Sequence, residues 1–397
     1  MTSDLEYRLL GDLVNFTSGG TPNKSKANFW NGSIPWISAK TLKEERISTS
    51  DLFISEEGLY FGSKLAPKGS ILLLTRGSGL FNGIPIGYVE KEVAFNQDIK
   101  CINTCSDIDN KYIFYWLQSQ KAYLSAKVDV TGIGAGKFDT DFLRNLKILI
   151  PPEDVRKKIV GICDAISLKI EANKKINDNL EQQAQSYFQE LFVDNADPEW
   201  TIGTISDLGA VVGGSTPSKA KPEYYTESGI AWITPKDLSI NKPKFVSHGE
   251  NDITELGLKN SSAVIMPEGT VLFTSRAPIG YIAIATGEVT TNQGFKSVVP
   301  KPEIGTPFVY FFLKNTLPVI EGMASGSTFK EVSGSTMKKV PAVIPDAETL
   351  AKFSNFCAPI FVQQRILEEQ NQSLAILRDN LLPKLMSGEI DVSAVQL

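Results

Sequence analysis

Histidine is nearly missing from this chain: His248 is the only one in 397 residues. An imidazole-based zinc site, or a nucleophile activated by an imidazole base, has almost nothing to build on. Cysteine is scarce too. Cys101 and Cys105 form one C-x3-C, and Cys163 and Cys357 stand apart. Reduced thiols are expected, as in a cytoplasmic protein, not a disulfide scaffold. No run of 18 apolar residues occurs, so no membrane span is expected. Met1 is followed by the acidic, polar TSDLEYRLLGD, so no secretory leader is expected. A surplus of positive charge is also lacking, with 40 Lys and Arg against 45 Asp and Glu. Residues 1–152 carry 17 basic against 16 acidic groups, and residues 193–345 carry 13 against 15. Binding to a polyanion would therefore need basic groups gathered on one face, and the acidic 346–397 favours a protein partner.

Cofactor motifs are absent as well. In TGIGAGKF, residues 131–138, three residues rather than four separate Gly132 from Gly136, and Phe138 follows Lys137 where a phosphate loop needs Ser or Thr. A mobile Gly-rich loop is the reading, with a second one over 324–329. Asp197-Pro198-Glu199-Trp200 lacks the second proline of a methyltransferase motif and reads as a turn.

What is present is helical periodicity at two places. Val155, Ile159, Ile162, Ile166 and Ile170, then Leu180, Ala184, Tyr187 and Leu191, follow a 4-3 rhythm within 152–192. This predicts a long amphipathic helix with a narrow seam, starting at Pro152 and its following acids. Its expected partner lies within 346–382, where Phe353, Cys357, Ile360, Gln364, Leu367, Asn371, Leu374, Arg378 and Leu381 keep the same spacing. Gln364, Asn371 and Arg378 are polar layers suited to fixing register, and Pro359 predicts a kink or break.

The stretches between the helices are copies of one another. Gly19-Gly20-Thr21-Pro22 returns as Gly214-Ser215-Thr216-Pro217, and Ile34-Pro35-Trp36-Ile37 as Ile230-Ala231-Trp232-Ile233. Lys40 returns as Lys236, Arg76 as Arg276, Pro85-Ile86-Gly87-Tyr88 as Pro278-Ile279-Gly280-Tyr281, Asn96-Gln97 as Asn292-Gln293, and Lys100 as Lys296. The offset stays between 193 and 200 residues. PKGSILLLTR and PEGTVLFTSR predict a turn and a buried strand, with a second strand nearby at 87–89 and 280–285. Residues 112–118 and 307–313 predict buried aromatic helices. The fold class is therefore α+β, with two homologous mixed α/β globules and two long helices. The divisions are 1–152, a spacer helix 153–192, a second globule 193–345, and a second helix with tail over 346–397.

The recurring polar residues suit a grip on a phosphate backbone or on base edges. Gly19, Gly20 and Thr21, with Gly214, Ser215 and Thr216, offer backbone N–H groups and a hydroxyl. Lys40 and Lys236 lie beside a Trp-Ile strand, Arg76 and Arg276 end a strand, and Lys137 and Lys330 lie by the Gly-rich loops. Arg on guanine and Asn or Gln on adenine are common base readers, while Lys and Thr hold phosphates. The Trp36/Trp232 pair and the Gly-Pro pairs are better explained by folding. Asn96, Gln97, Asn292 and Gln293 suit either base reading or bracing, and Arg76 and Lys40 lean to function.

The duplicated globules, each followed by a long helix, together with the terminal Leu381-Leu382-Pro383-Lys384-Leu385-Met386-Ser387-Gly388-Glu389-Ile390, resemble the specificity subunit of a type I restriction-modification enzyme. The resemblance implies that each globule is a target-recognition domain reading one half of a bipartite, asymmetric site in double-stranded DNA. It implies that the helices pack as an antiparallel coiled coil in a pseudo-twofold subunit, setting the spacer. The subunit would be non-catalytic and bind no cofactor itself. It would dock two modification (methyltransferase) subunits carrying S-adenosylmethionine and two restriction (translocase and nuclease) subunits using ATP and Mg. The first helix ends in QELFVDNADPEW instead of the terminal motif, so the second end reads as a free tail. Segments 43–62 and 239–260 differ most between the globules and are expected to carry different base preferences. The alternative class is a protein-binding adaptor without DNA recognition.

Overall fold

The computed structural model describes residues 6–130, 135–239, 242–326 and 330–395. It forms two compact units, Met1–Ile170 with Ser373–Leu397, and Glu171–Gln372. Both long helices are thus divided between the units.

In the first unit, strands Glu6–Leu9 and Lys147–Ile150 pair antiparallel, with Glu6 opposite Ile150. The globule closes on itself just before Pro151 and Pro152 release the chain into the helix. A five-stranded sheet runs in the order Val14–Ser18, Ile99–Thr104, Ile71–Leu74, Ile86–Val89, Arg46–Ile47. All four residues of Ile71–Leu74 are buried, which explains their unbroken apolar run at the sheet centre. A four-stranded sheet follows the order Phe53–Ile54, Ile34–Ile37, Val93–Phe95, Lys64–Ala66. The helix Asn110–Ser119 starts where the Asp109 side chain accepts from the Lys111 N–H, and buries Tyr112, Tyr115 and Trp116.

The second unit repeats this plan. Thr201–Thr204 pairs with Pro341–Ile344. The five-stranded order is Gly209–Gly213, Lys296–Pro300, Val271–Ser275, Ile279–Ala285, Phe245–Val246. Its aromatic helix, Thr306–Gly322, runs on through Pro318.

Hydrogen bonds correct one part of the repeat as read from sequence. Tyr88 donates its N–H to the Glu45 carbonyl, and Ile284 does so to Lys244; Val89 donates to Ser70, and Ala285 to Thr270. The counterpart of Ile86–Val89 is therefore residues 282–285, three residues beyond the look-alike Ile279-Gly280-Tyr281. The pairing of Val271–Ser275 with Ile279–Ala285 also shifts register between Phe273 and Ser275.

The first long helix spans Glu153–Gln189, ending in the wider turn Glu190–Asp194. The second spans Ala347–Ser387 without a break. Pro359 thus does not interrupt it: the proline is exposed, and its neighbours Cys357, Ile360 and Phe361 are buried, which outweighs one lost backbone hydrogen bond. Within the second unit the helices run antiparallel, since Asn173 bonds Asn371 at 3.0 Å, Asn177 donates to the Gln364 carbonyl at 3.3 Å, and Phe188 meets Phe353. Gln364 and Asn371 are interhelical polar layers. Arg378 instead leaves the seam for Glu45 of its own unit, at 2.7 Å. The first helix is most deeply buried at Ile159, Cys163, Asn173, Ala184 and Phe188; Ile159 and Ala184 belong to the predicted seam, while Cys163, Asn173 and Phe188 lie beside it, because the helix also packs on its globules.

The end of the chain is not free. Leu382, Leu385, Met386 and Val392 enter the core of the first unit, with Ile390 and Val395 packed against it. Gly388 turns the chain at φ +76°, a conformation glycine adopts without penalty.

In each unit a carboxylate of the first long helix is held by two cations and a tyrosine of the globule. Asp164 receives Arg46 at 2.6 Å, Lys111 at 2.5 Å and the Tyr115 hydroxyl at 2.6 Å. Glu181 receives Lys244 at 2.6 Å, the Tyr310 hydroxyl at 3.1 Å, and Lys314.

Candidate nucleic-acid interface

The Gly-Gly-Thr segment follows the first strand of each five-stranded sheet and crosses the start of the turn at Asn96 or Asn292. Its N–H groups are not all free, as the sequence suggested. Gly20 donates to the Phe95 carbonyl at 2.9 Å, and Ser215 to Thr291 at 2.8 Å. A Cβ on Gly19 would lie 2.1 Å from the Phe95 oxygen, and one on Gly214 1.9 Å from the Asn292 oxygen. These glycines are required by close approach of two backbones. Trp36 and Trp232 fasten the same segment by donating Nε1–H to the Gly20 and Ser215 carbonyls, at 3.1 and 3.0 Å.

Above this frame, Thr21 donates to the Gln97 side-chain oxygen at 2.6 Å, and Thr216 does the same to Gln293. Gln97 and Gln293 are exposed. Asn96, only 5% exposed, accepts from the Asp98 N–H at 3.2 Å, and Asn292 from the Gly294 N–H at 2.8 Å. The asparagines brace the turn that presents the glutamines.

The cationic residues differ between copies. Lys40 is exposed and makes no ion pair among the described residues, whereas Lys236 pairs with Glu250 at 2.5 Å. Arg76 is exposed in the short strand Arg76–Gly77, and Lys137 stands directly opposite it in Gly136–Lys137. Asp129 flanks Lys137 on the far side. The Gly-rich loop reading therefore fails for Gly136 and Lys137, which are paired backbone; residues 131–134 and 327–329 lie outside the described residues.

The counterpart of Lys137 is not Lys330, which is exposed one position earlier. Phe138 donates its N–H to the Thr75 carbonyl at 2.9 Å, and Val332 donates to Ser275 at 3.0 Å. Glu331 thus occupies the Lys137 position, and Ser325, bridged to Glu331, takes that of Asp129. Glu331 lies 3.4 Å from Arg276 and 3.7 Å from Lys296, and Lys296 also donates to the Gln293 carbonyl at 3.3 Å. Thr216, Gln293, Lys296, Glu331 and Arg276 are therefore one connected polar surface. Burial pulls the Lys296 ammonium down, Glu331 raises it, and Arg276 adds to the lowering. In the first copy, Lys100 instead donates to Ser18 at 2.5 Å.

Sequence reading missed Glu331, because Lys330 offered a like-for-like match one residue away. It also passed over Tyr60 and Phe61, 84% and 66% exposed at the end of the helix Glu56–Gly62, in the divergent segment 43–62. Residues 240–241 of the other divergent segment lie outside the described residues.

The family described as type I restriction modification DNA specificity domain matches residues 2–182 and 198–377. The chain is 41% identical over 172 residues to the MjaIX specificity subunit of Methanocaldococcus jannaschii, covering 43% of this chain and 40% of that protein. It is 30% identical over 201 residues to a type I restriction enzyme specificity subunit of Escherichia coli, covering 49% and 50%. The chain thus spans half or less of the length of these relatives. A solved S subunit of a type I restriction-modification system from M. genitalium aligns over 97% of both chains, with a TM-score of 0.58 and 16% identity, and shares the fold.

Proposed function

The chain belongs to the type I restriction-modification DNA specificity family, and from that premise we propose that it is the DNA sequence-recognition subunit of such a complex. Each globule reads one half of a bipartite, asymmetric site in double-stranded DNA, and the long helices set the spacer. The observation that carries this reading is the repeated Thr–Gln–Asn frame, which presents an exposed amide at the same place in both globules. Thr21, Gln97, Lys40, Arg76 and Lys137 contact one half-site; Thr216, Gln293, Lys236, Arg276 and Lys330 contact the other. Gly19, Gly20, Gly214, Ser215, Asn96 and Asn292 shape those surfaces from behind.

The chain itself is non-catalytic. It docks two methyltransferase subunits, which supply S-adenosylmethionine, and two restriction subunits, which use ATP and Mg. The domain divisions for this reading are recognition domains 1–152 and 193–345, with spacer helices over 153–192 and from 346 onward. The adaptor alternative draws support only from the acidic 346–397 segment.

Methylation mapping of the source genome, with and without this gene, tests the reading. One bipartite motif should lose its methyl-adenine on deletion. If every motif is unchanged, the recognition reading is wrong.

A further inference from the structure

Resting on that reading, we propose that Glu331 is a specificity-determining residue of the second globule, which with Arg276 reads one G·C base pair. The first globule has no equivalent pair, because Lys137 stands in the same backbone position.

Three observations carry this. The first is registry. Val332 donates to Ser275 as Phe138 donates to Thr75, so Glu331 and Lys137 are equivalent although no sequence match aligns them. The second is that Glu331 is fixed at the backbone: Ser325 donates to its carbonyl at 3.0 Å, and its own N–H donates to Ser325 at 2.9 Å. Its carboxylate, on that anchored backbone, reaches Arg276 and Lys296. The third is the pairing. Arg276 and Glu331 lie 3.4 Å apart and each is 38% exposed, so the pair is held together yet open to a ligand.

The chemistry follows from what a base pair presents in the major groove. Guanine shows two acceptors, O6 and N7, to which Arg bonds bidentately; its partner cytosine shows the N4 amine, a donor that a carboxylate accepts. An Arg beside a Glu therefore matches both edges of one G·C pair. A phosphate is a poor occupant, since Glu331 repels it and already engages Arg276 and Lys296. In the first globule Arg76 and Lys137 are both donors, flanked by Asp129 on the outer strand. That pair matches acceptors alone, so guanine O6 and N7 or a phosphate, and like charges set opposite each other cost stability when nothing is bound.

The test is methylation mapping in the source strain carrying single-residue alleles of the full chain. Glu331→Gln keeps shape and removes the charge, and Glu331→Lys installs the first globule's residue. Both are expected to lower discrimination at one G·C position of one half-site by at least about fivefold. Lys137→Glu should alter the other half-site. A wild-type motif lacking any G·C pair in the half-site changed by Arg276→Ala overturns the inference. So do Glu331→Gln and Glu331→Lys alleles that leave both half-sites unaltered. If the wild-type gene directs no motif at all, it is the recognition reading that fails.

Discussion

Gly19 and Gly214 carry no side chain because a carbonyl oxygen occupies the space where one would go. Gly19→Ala must push apart the strand end and the turn at Phe95–Asn96, at a cost of about 1–3 kcal/mol for a forced overpacking. Thermal or denaturant unfolding measures it, and an unchanged midpoint would remove Gly19 from the frame. Arg76 is the opposite case: exposed, and without an ion pair among the described residues. Arg76→Ala should leave stability within about 0.5 kcal/mol, as surface changes do. It should weaken site-specific DNA binding by about 1–3 kcal/mol if the guanidinium is bidentate to a base. Competition binding with target and scrambled duplexes separates the two effects. Asn96 belongs with the glycines. Its amide is spent on the turn, so Asn96→Ala should act first on stability.

The long helices are joined to the globules by charge as well as by apolar packing. Burial alone would raise the Glu181 carboxyl, but Lys244 and Lys314, by charge and by hydrogen bond, outweigh it and hold it down at about 2. Lys244, 8% exposed, is lowered to about 8 because burial outweighs its attraction to Glu181. The carboxylate governs the acid side. Its folded pKa lies below the ordinary 4.5, so its contribution is complete above that pH and disappears as pH falls towards 2. The expected loss is on the order of 3 kcal/mol, and Glu181→Gln should flatten the acid limb of the unfolding curve. A limb of equal steepness in the variant would show that other carboxylates dominate. The interhelical Asn173–Asn371 contact works differently. Such a polar layer lowers stability and fixes register, so Asn173→Leu should raise the unfolding midpoint and permit alternative helix pairings. Cysteine cross-linking at Asn177 and Gln364 would report them.

At the scale of the whole chain, each globule begins and ends in one antiparallel pair, Glu6–Leu9 with Lys147–Ile150 and Thr201–Thr204 with Pro341–Ile344. Chain enters and leaves each globule at one point, so a globule can be exchanged as one segment, provided the replacement keeps the helix contacts that Lys244, Tyr310 and Lys314 make. Replacing residues 201–344 with the matching segment of another family member should change one half-site and keep the other half-site and the spacer. Methylation mapping of the chimera reads this directly. A change in both half-sites would mean that the globules do not read independently.

Local pattern was enough for the duplication, the two long helices, the buried strands at Ile71–Leu74 and Val271–Ser275, and the turn at Asp197, whose side chain accepts from the Glu199 N–H. Each of these depends on residues close together in the chain, where periodicity and turn chemistry act. It was also enough to find most of the polar residues that share the candidate surface, because duplication repeats them. The tertiary structure decided the rest. It set residues 282–285 opposite Ile86–Val89, put Glu331 where Lys137 stands, docked the tail on the first unit, and carried the second helix through Pro359. These outcomes depend on hydrogen bonds and packing between segments far apart in the chain. A one-residue shift in alignment is invisible to motif matching, but it exchanges a cation for a carboxylate on the exposed face.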